Sequence, residues 1–248
     1  MPKVERAIIM AAGKGTRLKP LTESTPKPLI KVNGTRMIDS IIRALHKNGI
    51  TEIYVVVGYL KEKFQSLTKE YKGLTLINNP CYDTCNNISS LYVAREHLKN
   101  CIILDGDQII NNSDVLSADF EHSGYNSVEI ESYTDEWLQQ TDNLKVTSCS
   151  RTGGKGGWQL YSISRWTAED GQKLKKHLEY EFEQKKNFQI YWDDIAMFVY
   201  PGEYSLYVNP MLSGDVSEID SLDELIAADK SYSSFSGGKS RAKTFKKQ

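Results

Sequence analysis

The stretch at 7–31, AIIMAAGKGTRLKPLTESTPKPLIK, restricts the fold of this chain more than any other part of it. It opens with an apolar run at 7–10 that predicts a buried β-strand. The residues that follow the strand are small or cationic, namely Ala11, Ala12, Gly13, Lys14, Gly15 and Arg17. A strand that ends in glycine leaves backbone N–H groups free to face an anion, and the two cations add positive charge there. The stretch therefore predicts a polyphosphate site directly after the first strand.

A lysine held between two prolines follows in the same stretch. Pro26 and Pro28 fix their own φ angles and restrict the residue before each of them, so we expect Lys27 to project from a stiff, extended segment. The common nucleotide fingerprints are not matched. The dinucleotide pattern G-x-G-x-x-G needs glycine where this chain has Leu18, and the sequence contains no Walker A loop at this place.

The same residues resemble the signature of the nucleotidyltransferases that join a nucleoside triphosphate to a phosphorylated small molecule. That signature, A-A-G-x-G-T-R-L-x-P-L-T followed by P-K-P-L, is matched at 11–22 and 26–29. The resemblance implies that the glycine loop and Arg17 bind the triphosphate, and that Lys27 contacts the phosphates of the reacting pair. Lys14 stands where the family varies, so the resemblance assigns it no firm role.

Apolar runs and helical spacings alternate through the first half of the chain. They predict strands at 7–10, 53–57, 74–77 and 101–104, and helices at 37–47, 61–71 and 89–98. The order β-α-β-α-β-α-β predicts an α/β fold with a doubly wound, mixed but mainly parallel sheet whose ligands lie at its carboxyl edge. The resemblance implies that this fold is Rossmann-like and GT-A-like, with a small substrate-binding insertion.

A chain of 248 residues suits one large α/β domain. We expect a single nucleotidyltransferase domain at 1–230, with a nucleotide-binding half at about 1–112 and an acceptor-binding half at about 113–230. Elements of the second half are predicted as strands at 128–131, 145–150 and 159–164 and helices at 169–183 and 222–229. The glycine-rich stretch at 153–157 suits a mobile lid or a hairpin turn, and 231–248 suits a flexible tail or a linker to another domain.

Charge and cysteine content exclude several classes of protein. The net charge of −1 gives no global field that would attract nucleic acid. The four cysteines do not have zinc spacing, which favours a reduced cytosolic protein. We find no signal peptide pattern, and no apolar run approaches the ~20 residues that a membrane span needs. We therefore expect a cytoplasmic protein that binds neither nucleic acid nor a membrane; a homodimer and fusion to another pathway enzyme are compatible with the sequence.

Carboxylates occur where a divalent metal would be useful. Asp105 and Asp107 follow the strand predicted at 101–104, and alternation along an extended chain points both side chains the same way. Mg²⁺ is a hard cation that prefers carboxylate oxygens. Asp220 comes just before the helix predicted at 222–229, where an aspartate is equally suited to cap that helix. The resemblance implies that Asp107 and Asp220 hold Mg²⁺, with Asp105 close to the nucleotide.

Four further segments resemble the bacterial CTP:phosphocholine cytidylyltransferases more than the sugar-nucleotide members of the family. They lie at 57–62, 86–91, 135–137 and 191–194. The resemblance places Gly58, Tyr59, Asn86 and Ser89 at the nucleotide. Amide and hydroxyl groups near 86–89 could hydrogen-bond to the edge of a pyrimidine, although Asn86 taken alone is equally suited to cap a helix.

An aromatic and acidic set suits the acceptor. A quaternary ammonium donates no hydrogen bonds and is best held by aromatic faces with carboxylates nearby. The residues that could form such a box are Glu129, Trp137, Tyr191, Trp192, Asp193 and Asp194, with Lys27 on the acceptor's phosphate. Without the resemblance, Tyr191 and Trp192 would be interpreted as ordinary core or rim aromatics.

The resulting hypothesis is a cytidylyltransferase that transfers CMP from CTP to a small amino-alcohol phosphate, first of all phosphocholine, and releases pyrophosphate. The acceptor oxygen would attack the α-phosphorus in line, with Lys27, Arg17 and Asp107 as the catalytic residues. Three alternatives stay open: 2-aminoethylphosphonate as the acceptor, a sugar 1-phosphate as the acceptor, and a non-catalytic nucleotide-binding regulatory module. A regulatory module would be expected to lack Lys27 or the metal carboxylates, and this chain has both.

Overall fold

A computed structural model of the protein describes residues 2–237, and its largest element is a nine-stranded sheet. In chain order the strands are β1 (Arg6–Ala11), β2 (Lys31–Val32), β3 (Thr35–Arg36), β4 (Glu52–Val57), β5 (Leu74–Asn78), β6 (Cys101–Asp105), β7 (Gln108–Ile110), β8 (Gly124–Thr134), β9 (Leu138–Asp142), β10 (Lys145–Ser150), β11 (Gly154–Trp166), β12 (Tyr207–Pro210) and β13 (Val216–Glu218). The α-helices are α1 (Met37–Lys47), α2 (Leu67–Glu70), α3 (Ile88–Val93), α4 (Ala168–Glu179) and α5 (Leu222–Ala228).

The central sheet is mixed, and its first half is parallel. Strands β5, β4, β1 and β6 lie side by side in that order, each parallel to its neighbour. Strand β11 is antiparallel to both β6 and β8 and so joins the second half of the chain to the same sheet. The predicted mixed sheet and the order β-α-β-α-β-α-β are confirmed. The pairs β2–β3 and β7–β13 form two small separate sheets.

Burial explains why the first strand is so apolar. Side chains of a strand alternate between the two faces of the sheet. Ile9 packs into the core layer that contains α1, whereas Ile8 and Met10 pack into the opposite layer with α3 and α4. Both faces of β1 are therefore covered, as in a doubly wound fold.

Several predicted helices are shorter or of another type. The helix predicted at 61–71 is a 3₁₀ helix, Lys61–Ser66, followed by α2. The helix predicted at 89–98 is α3 followed by a 3₁₀ turn, Arg95–His97. The helix predicted at 169–183 is α4 continued by a π-helix, Tyr180–Gln184. Residues three apart lie close together on both α- and 3₁₀-helices, so apolar spacing over a short span does not distinguish these two types.

The glycine-rich stretch at 153–157 forms the end of a hairpin turn and the first residues of β11. Gly153 has φ +70°, and a Cβ there would lie 1.9 Å from the carbonyl oxygen of Thr134, so only glycine fits this position.

Near the C-terminal end of the described residues, Lys230–Gly237 is a 3₁₀ helix, and the Tyr232 hydroxyl donates to the Lys31 carbonyl at 2.8 Å. Residues 238–248 of the predicted tail lie outside the described residues.

None of the helices at 2–237 is long and apolar enough to cross a membrane.

Candidate active site

The loops after β1 and β6 meet at the carboxyl edge of the sheet, because these two strands are neighbours and Met10 pairs with Asp105. Two adjoining clefts open there, with volumes of about 500 and 320 Å³. The larger follows the loop after β1 and is called the glycine-loop cleft; the smaller faces the second half of the chain and is called the acidic cleft. The residues that line both clefts are Arg17, Lys27, Asn87, Asp105 and Asp107.

The loop after β1 offers backbone N–H groups to the glycine-loop cleft. Among residues 2–237, no backbone carbonyl accepts a hydrogen bond from the N–H of Gly13, Lys14 or Gly15. Gly15 has φ +61°, and a Cβ there would lie 2.9 Å from the Cβ of Lys27. The loop therefore turns tightly against the lysine, and this geometry suits an anion such as a polyphosphate.

Lys27 lies between two carboxylates. Its Nζ contacts Asp107 Oδ2 at 2.6 Å and Asp220 Oδ1 at 2.8 Å, and its side chain is only 7% exposed. Burial opposes the charged form, but the two carboxylates outweigh it and raise the pKa of Lys27. Arg17 Nη2 reaches the same Asp220 oxygen at 2.9 Å. Two cations and two carboxylates thus meet where the clefts join.

Asp220 is not the cap of the helix that follows it. Ser221 has that role, because its hydroxyl accepts from the backbone N–H of Glu224 at 3.2 Å and the Glu224 carboxylate accepts from the Ser221 N–H at 2.8 Å. The Asp220 carboxylate is therefore left to Lys27 and Arg17. Of the two roles that the sequence left open for Asp220, the structure removes the cap.

The acidic cleft holds carboxyl groups in an unusual state. Burial, together with the charges of Asp107 and Asp193, raises the pKa of Asp105 well above its usual range. Burial also raises the pKa of Asp193, to about 7. Glu218, which accepts a hydrogen bond from Gln108 Nε2 at 2.9 Å, likewise has a pKa raised by burial. A cation bound in this cleft would stabilise the charged forms of these acids, so the lining suits a cationic ligand better than an anionic one.

The structure brings most of the predicted nucleotide residues together. Those that line the glycine-loop cleft are Ala11, Ala12, Gly13, Gly15, Arg17, Asn86 and Asp105. Asn86 is not the residue before α3; Asn87 is, and Asn86 Nδ2 donates to the Gln189 carbonyl at 3.1 Å.

Four predicted nucleotide residues do not line either cleft, and the structure gives each another contact. Lys14 is exposed and forms an ion pair with Asp83. Gly58 packs against Tyr82, and the Tyr59 hydroxyl donates to the Thr22 carbonyl at 2.9 Å. Ser89 is buried and donates to the Asn86 carbonyl at 2.8 Å. Their contacts support the loops around the cleft, which local sequence cannot show.

The predicted acceptor residues divide in the same way. Trp137, Tyr191 and Asp193 line the acidic cleft, and the rings of the two aromatics meet edge to face with centroids 6.2 Å apart. Trp192 points instead into the core, where its ring lies near Tyr125 and Trp166.

Two predicted acids lie outside the acidic cleft. Glu129 is exposed on β8 and lines neither cleft. Asp194 is buried, and it pairs with Arg151 rather than facing the cleft. Neighbouring residues along an irregular segment point in different directions, so the sequence could not separate Asp193 from Asp194 or Tyr191 from Trp192.

Polar residues of the clefts that the sequence analysis did not assign to the site include Ser162 and Glu218; Asn87, Ser90 and Glu136 lie in segments that it singled out, but it gave them no role of their own. Strand alternation in the sequence could have predicted the positions of Ser162 and Glu218. Leu160 and Ser162 both line the acidic cleft and are two residues apart on β11, as strand alternation requires. Glu218 stands two residues before Asp220 in a strand-like approach, so the same rule would have placed it beside that aspartate.

Comparisons with known proteins agree with this geometry. The sequence model of the family described as "Nucleotidyl transferase" matches residues 6–133. The chain is 36% identical over 228 residues to a 2-aminoethylphosphonate cytidylyltransferase of Lancefieldella rimae, covering 91% of this chain and 92% of the relative. It is also 36% identical over 220 residues to a choline-phosphate cytidylyltransferase of Streptococcus pneumoniae, covering 88% and 94%.

A solved structure of the CTP:phosphocholine cytidylyltransferase of Streptococcus pneumoniae superposes with a TM-score of 0.84 at 34% identity, covering 91% of this chain and 97% of that one. The chain therefore belongs to the nucleotidyl transferase family. Relatives that match it over most of its length identify it further as an enzyme of the cytidylyltransferase type.

Proposed function

We propose that this enzyme transfers CMP from CTP to a small phosphorylated amine and that phosphocholine is its acceptor. The observation that carries the proposal is the junction of the two clefts at Lys27. On one side lies the loop at 13–15, whose N–H groups donate to no backbone carbonyl within residues 2–237 and suit a triphosphate. On the other lies an acidic cleft with the faces and edges of Trp137 and Tyr191, which suits a cationic head group.

The chain's own residues would act mainly by positioning and by charge. CTP would lie along 11–17, and the acceptor's anionic oxygen would attack its α-phosphorus in line while the bond to pyrophosphate breaks. Lys27 would stabilise the charge that develops on the α-phosphate, and Arg17 would bind the phosphates of the leaving group; both side chains line the two clefts. The attacking oxygen is already ionised near neutral pH, so this step needs no general base.

The carboxylates fit Mg²⁺. Asp107 and Asp220 share one ammonium in the structure, so their oxygens lie within reach of a common point. Residues 2–237 contain no group of three or more acidic, histidine or cysteine side chains that could hold a metal by themselves. Mg²⁺ is commonly held by one or two carboxylates together with substrate phosphates, so a pair suffices. Bound there, the ion would neutralise charge on the triphosphate.

2-Aminoethylphosphonate is the second candidate acceptor, and one observation favours it. Asp193 lines the acidic cleft, and its buried carboxyl lies against the Tyr125 hydroxyl. A primary ammonium could donate to Asp193, whereas a quaternary ammonium has no proton to donate. The aromatic pair favours phosphocholine, and the Asp193 carboxyl in the cleft favours the aminophosphonate.

The experiment is pyrophosphate release from Mg²⁺-CTP with phosphocholine, phosphoethanolamine, 2-aminoethylphosphonate and glucose 1-phosphate offered separately. We expect both ammonium classes to be preferred to the sugar, with phosphocholine first. Trp137→Ala should raise the KM for phosphocholine about 10-fold, in line with a cation–π loss of about 1–2 kcal/mol. Trp158→Ala is the matched control, since this half-buried tryptophan of β11 lines neither cleft.

Activity with glucose 1-phosphate alone would refute the proposal. CTP binding without pyrophosphate release from any acceptor would favour a regulatory module instead.

A further inference from the structure

We propose that Arg151 is a positioning residue for the acceptor: it holds in place the segment that carries the aromatic and acidic wall of the acidic cleft. This role rests on the proposed function, because it concerns binding of the acceptor's cationic head group. Arg151 itself lines neither cleft, so any effect on the acceptor must pass through other residues.

Arg151 comes directly after β10, at the hairpin turn that leads to β11. Its Nε and Nη2 donate to Asp194 Oδ1 at 3.0 and 2.6 Å, and its guanidinium lies 3.9 Å from the centre of the Phe198 ring. The Arg151 side chain is 48% exposed, whereas that of Asp194 is 5% exposed. The arginine of this hairpin thus neutralises the buried carboxylate of Asp194, which belongs to the segment at 191–194.

Both partners of Arg151 lead on to the acidic cleft. Asp194 Oδ2 accepts a hydrogen bond from the backbone N–H of Tyr191 at 2.9 Å, which closes the turn that includes Asp193. The Phe198 ring meets the Trp137 ring edge to face, with centroids 5.3 Å apart. Through Asp194 and Phe198, Arg151 is therefore one contact away from the segments that carry Tyr191, Asp193 and Trp137.

The sign of the effect separates positioning from simple electrostatics. Arg151 is a cation close to a cleft for a cation, so by charge alone its removal would strengthen binding of the acceptor. If Arg151 instead holds Asp194 and Phe198, its removal leaves Asp194 buried without its cation and loosens the turn at 191–194. Acceptor binding should then weaken, because a side chain that moves by about 1 Å loses much of its contribution.

The test compares Arg151→Met and Arg151→Lys with a matched variant elsewhere. Arg95→Met is that control: Arg95 has the same kinds of contact, a carboxylate (Glu179 at 3.1 Å) and an aromatic ring (Tyr92 at 4.1 Å), but these partners lie outside the segment at 191–198 and line neither cleft. For each protein, the KM for phosphocholine and for 2-aminoethylphosphonate, the KM for CTP, kcat and Tm are measured.

We expect Arg151→Met to raise the acceptor KM about 10-fold while the KM for CTP and kcat change less than about 2-fold. Arg151→Lys should fall between the wild type and the methionine variant, because lysine keeps the charge without the planar fork. It also serves as the test if the methionine variant does not fold. Arg95→Met should lower Tm by about as much as Arg151→Met does and leave every KM unchanged.

An acceptor KM that stays constant or decreases in both Arg151 variants would overturn the positioning role. So would an equal rise in the KM for CTP, since that would indicate general loosening of the fold. Both results leave the proposed function standing. Failure of the wild-type enzyme to use any ammonium acceptor would instead overturn the proposed function, and the positioning role with it.

Discussion

Replacing Lys27 by methionine tests the junction of the two clefts most directly. Methionine keeps much of the apolar stem that packs against Gly15 but removes the ammonium that contacts Asp107 and Asp220 at 2.6 and 2.8 Å. A unit-charge pair at ~4 Å is worth about 4 kcal/mol at an effective dielectric constant of ~20. If the ammonium meets charge that develops on the α-phosphate at such a distance, its loss should lower kcat by about 10³-fold. CTP should still bind, because the loop at 11–17 and Arg17 remain.

The assay is pyrophosphate release at saturating CTP and acceptor, with the Kd for CTP measured separately by titration calorimetry. Lys31→Ala is the matched control, since Lys31 is an exposed lysine a few residues further along. A kcat for Lys27→Met within about 10-fold of the wild type would refute the reasoning. So would a loss of CTP affinity as large as the loss of kcat, because that would make Lys27 a binding residue and not one that acts in the transition state.

Three further predictions follow from the same geometry. Asp193, with a pKa raised to about 7, loses its negative charge as the pH falls. The KM for a cationic acceptor should therefore rise from pH 8 to pH 6.5. Asp193→Asn should show a high KM that no longer changes over this range. Asp220→Asn should raise the Mg²⁺ concentration for half-maximal activity about 10-fold with little change in Tm, because Ser221 still caps the helix. Asp223→Asn, an exposed change in the same helix, should have no such effect. A constant Mg²⁺ requirement in Asp220→Asn would contradict the metal role. Gly15→Ala should abolish most activity and cost about 1–2 kcal/mol of stability, since it forces a Cβ into the left-handed region and against Lys27; full activity at unchanged Tm would be incompatible with the loop geometry.

The first half of the chain was predictable because its signals are local. The apolar run of β1 and the glycines after it lie within ten residues, and the structure places Gly13 and Gly15 in the cleft as expected. Helix type was less predictable: the spacing at 61–71 fits both an α-helix and a 3₁₀ helix, and the structure has a 3₁₀ helix over Lys61–Ser66. Phe64 of this segment is buried in the core layer with α1, a non-local contact that the spacing does not show.

The second half was predictable only in part. Tyr191, Asp193 and Trp137 were predicted at one site and line one cleft, but Trp192 and Asp194 from the same run face elsewhere. Composition shows which chemical groups are present in a segment. It does not show which of two neighbours faces the cleft, because the segment at 191–194 is neither a regular strand nor a regular helix.

The class of enzyme could be predicted from the sequence alone, because the signature in the stretch at 7–31 and the apolar spacing of each strand and helix are local patterns. The pairing of the charges depends on the tertiary structure. Lys27 and Asp220 are 193 residues apart and meet at 2.8 Å, and Arg151 neutralises an aspartate 43 residues away. Such pairs depend on distances that folding sets, and they leave no periodic trace in the sequence because each involves a single side chain.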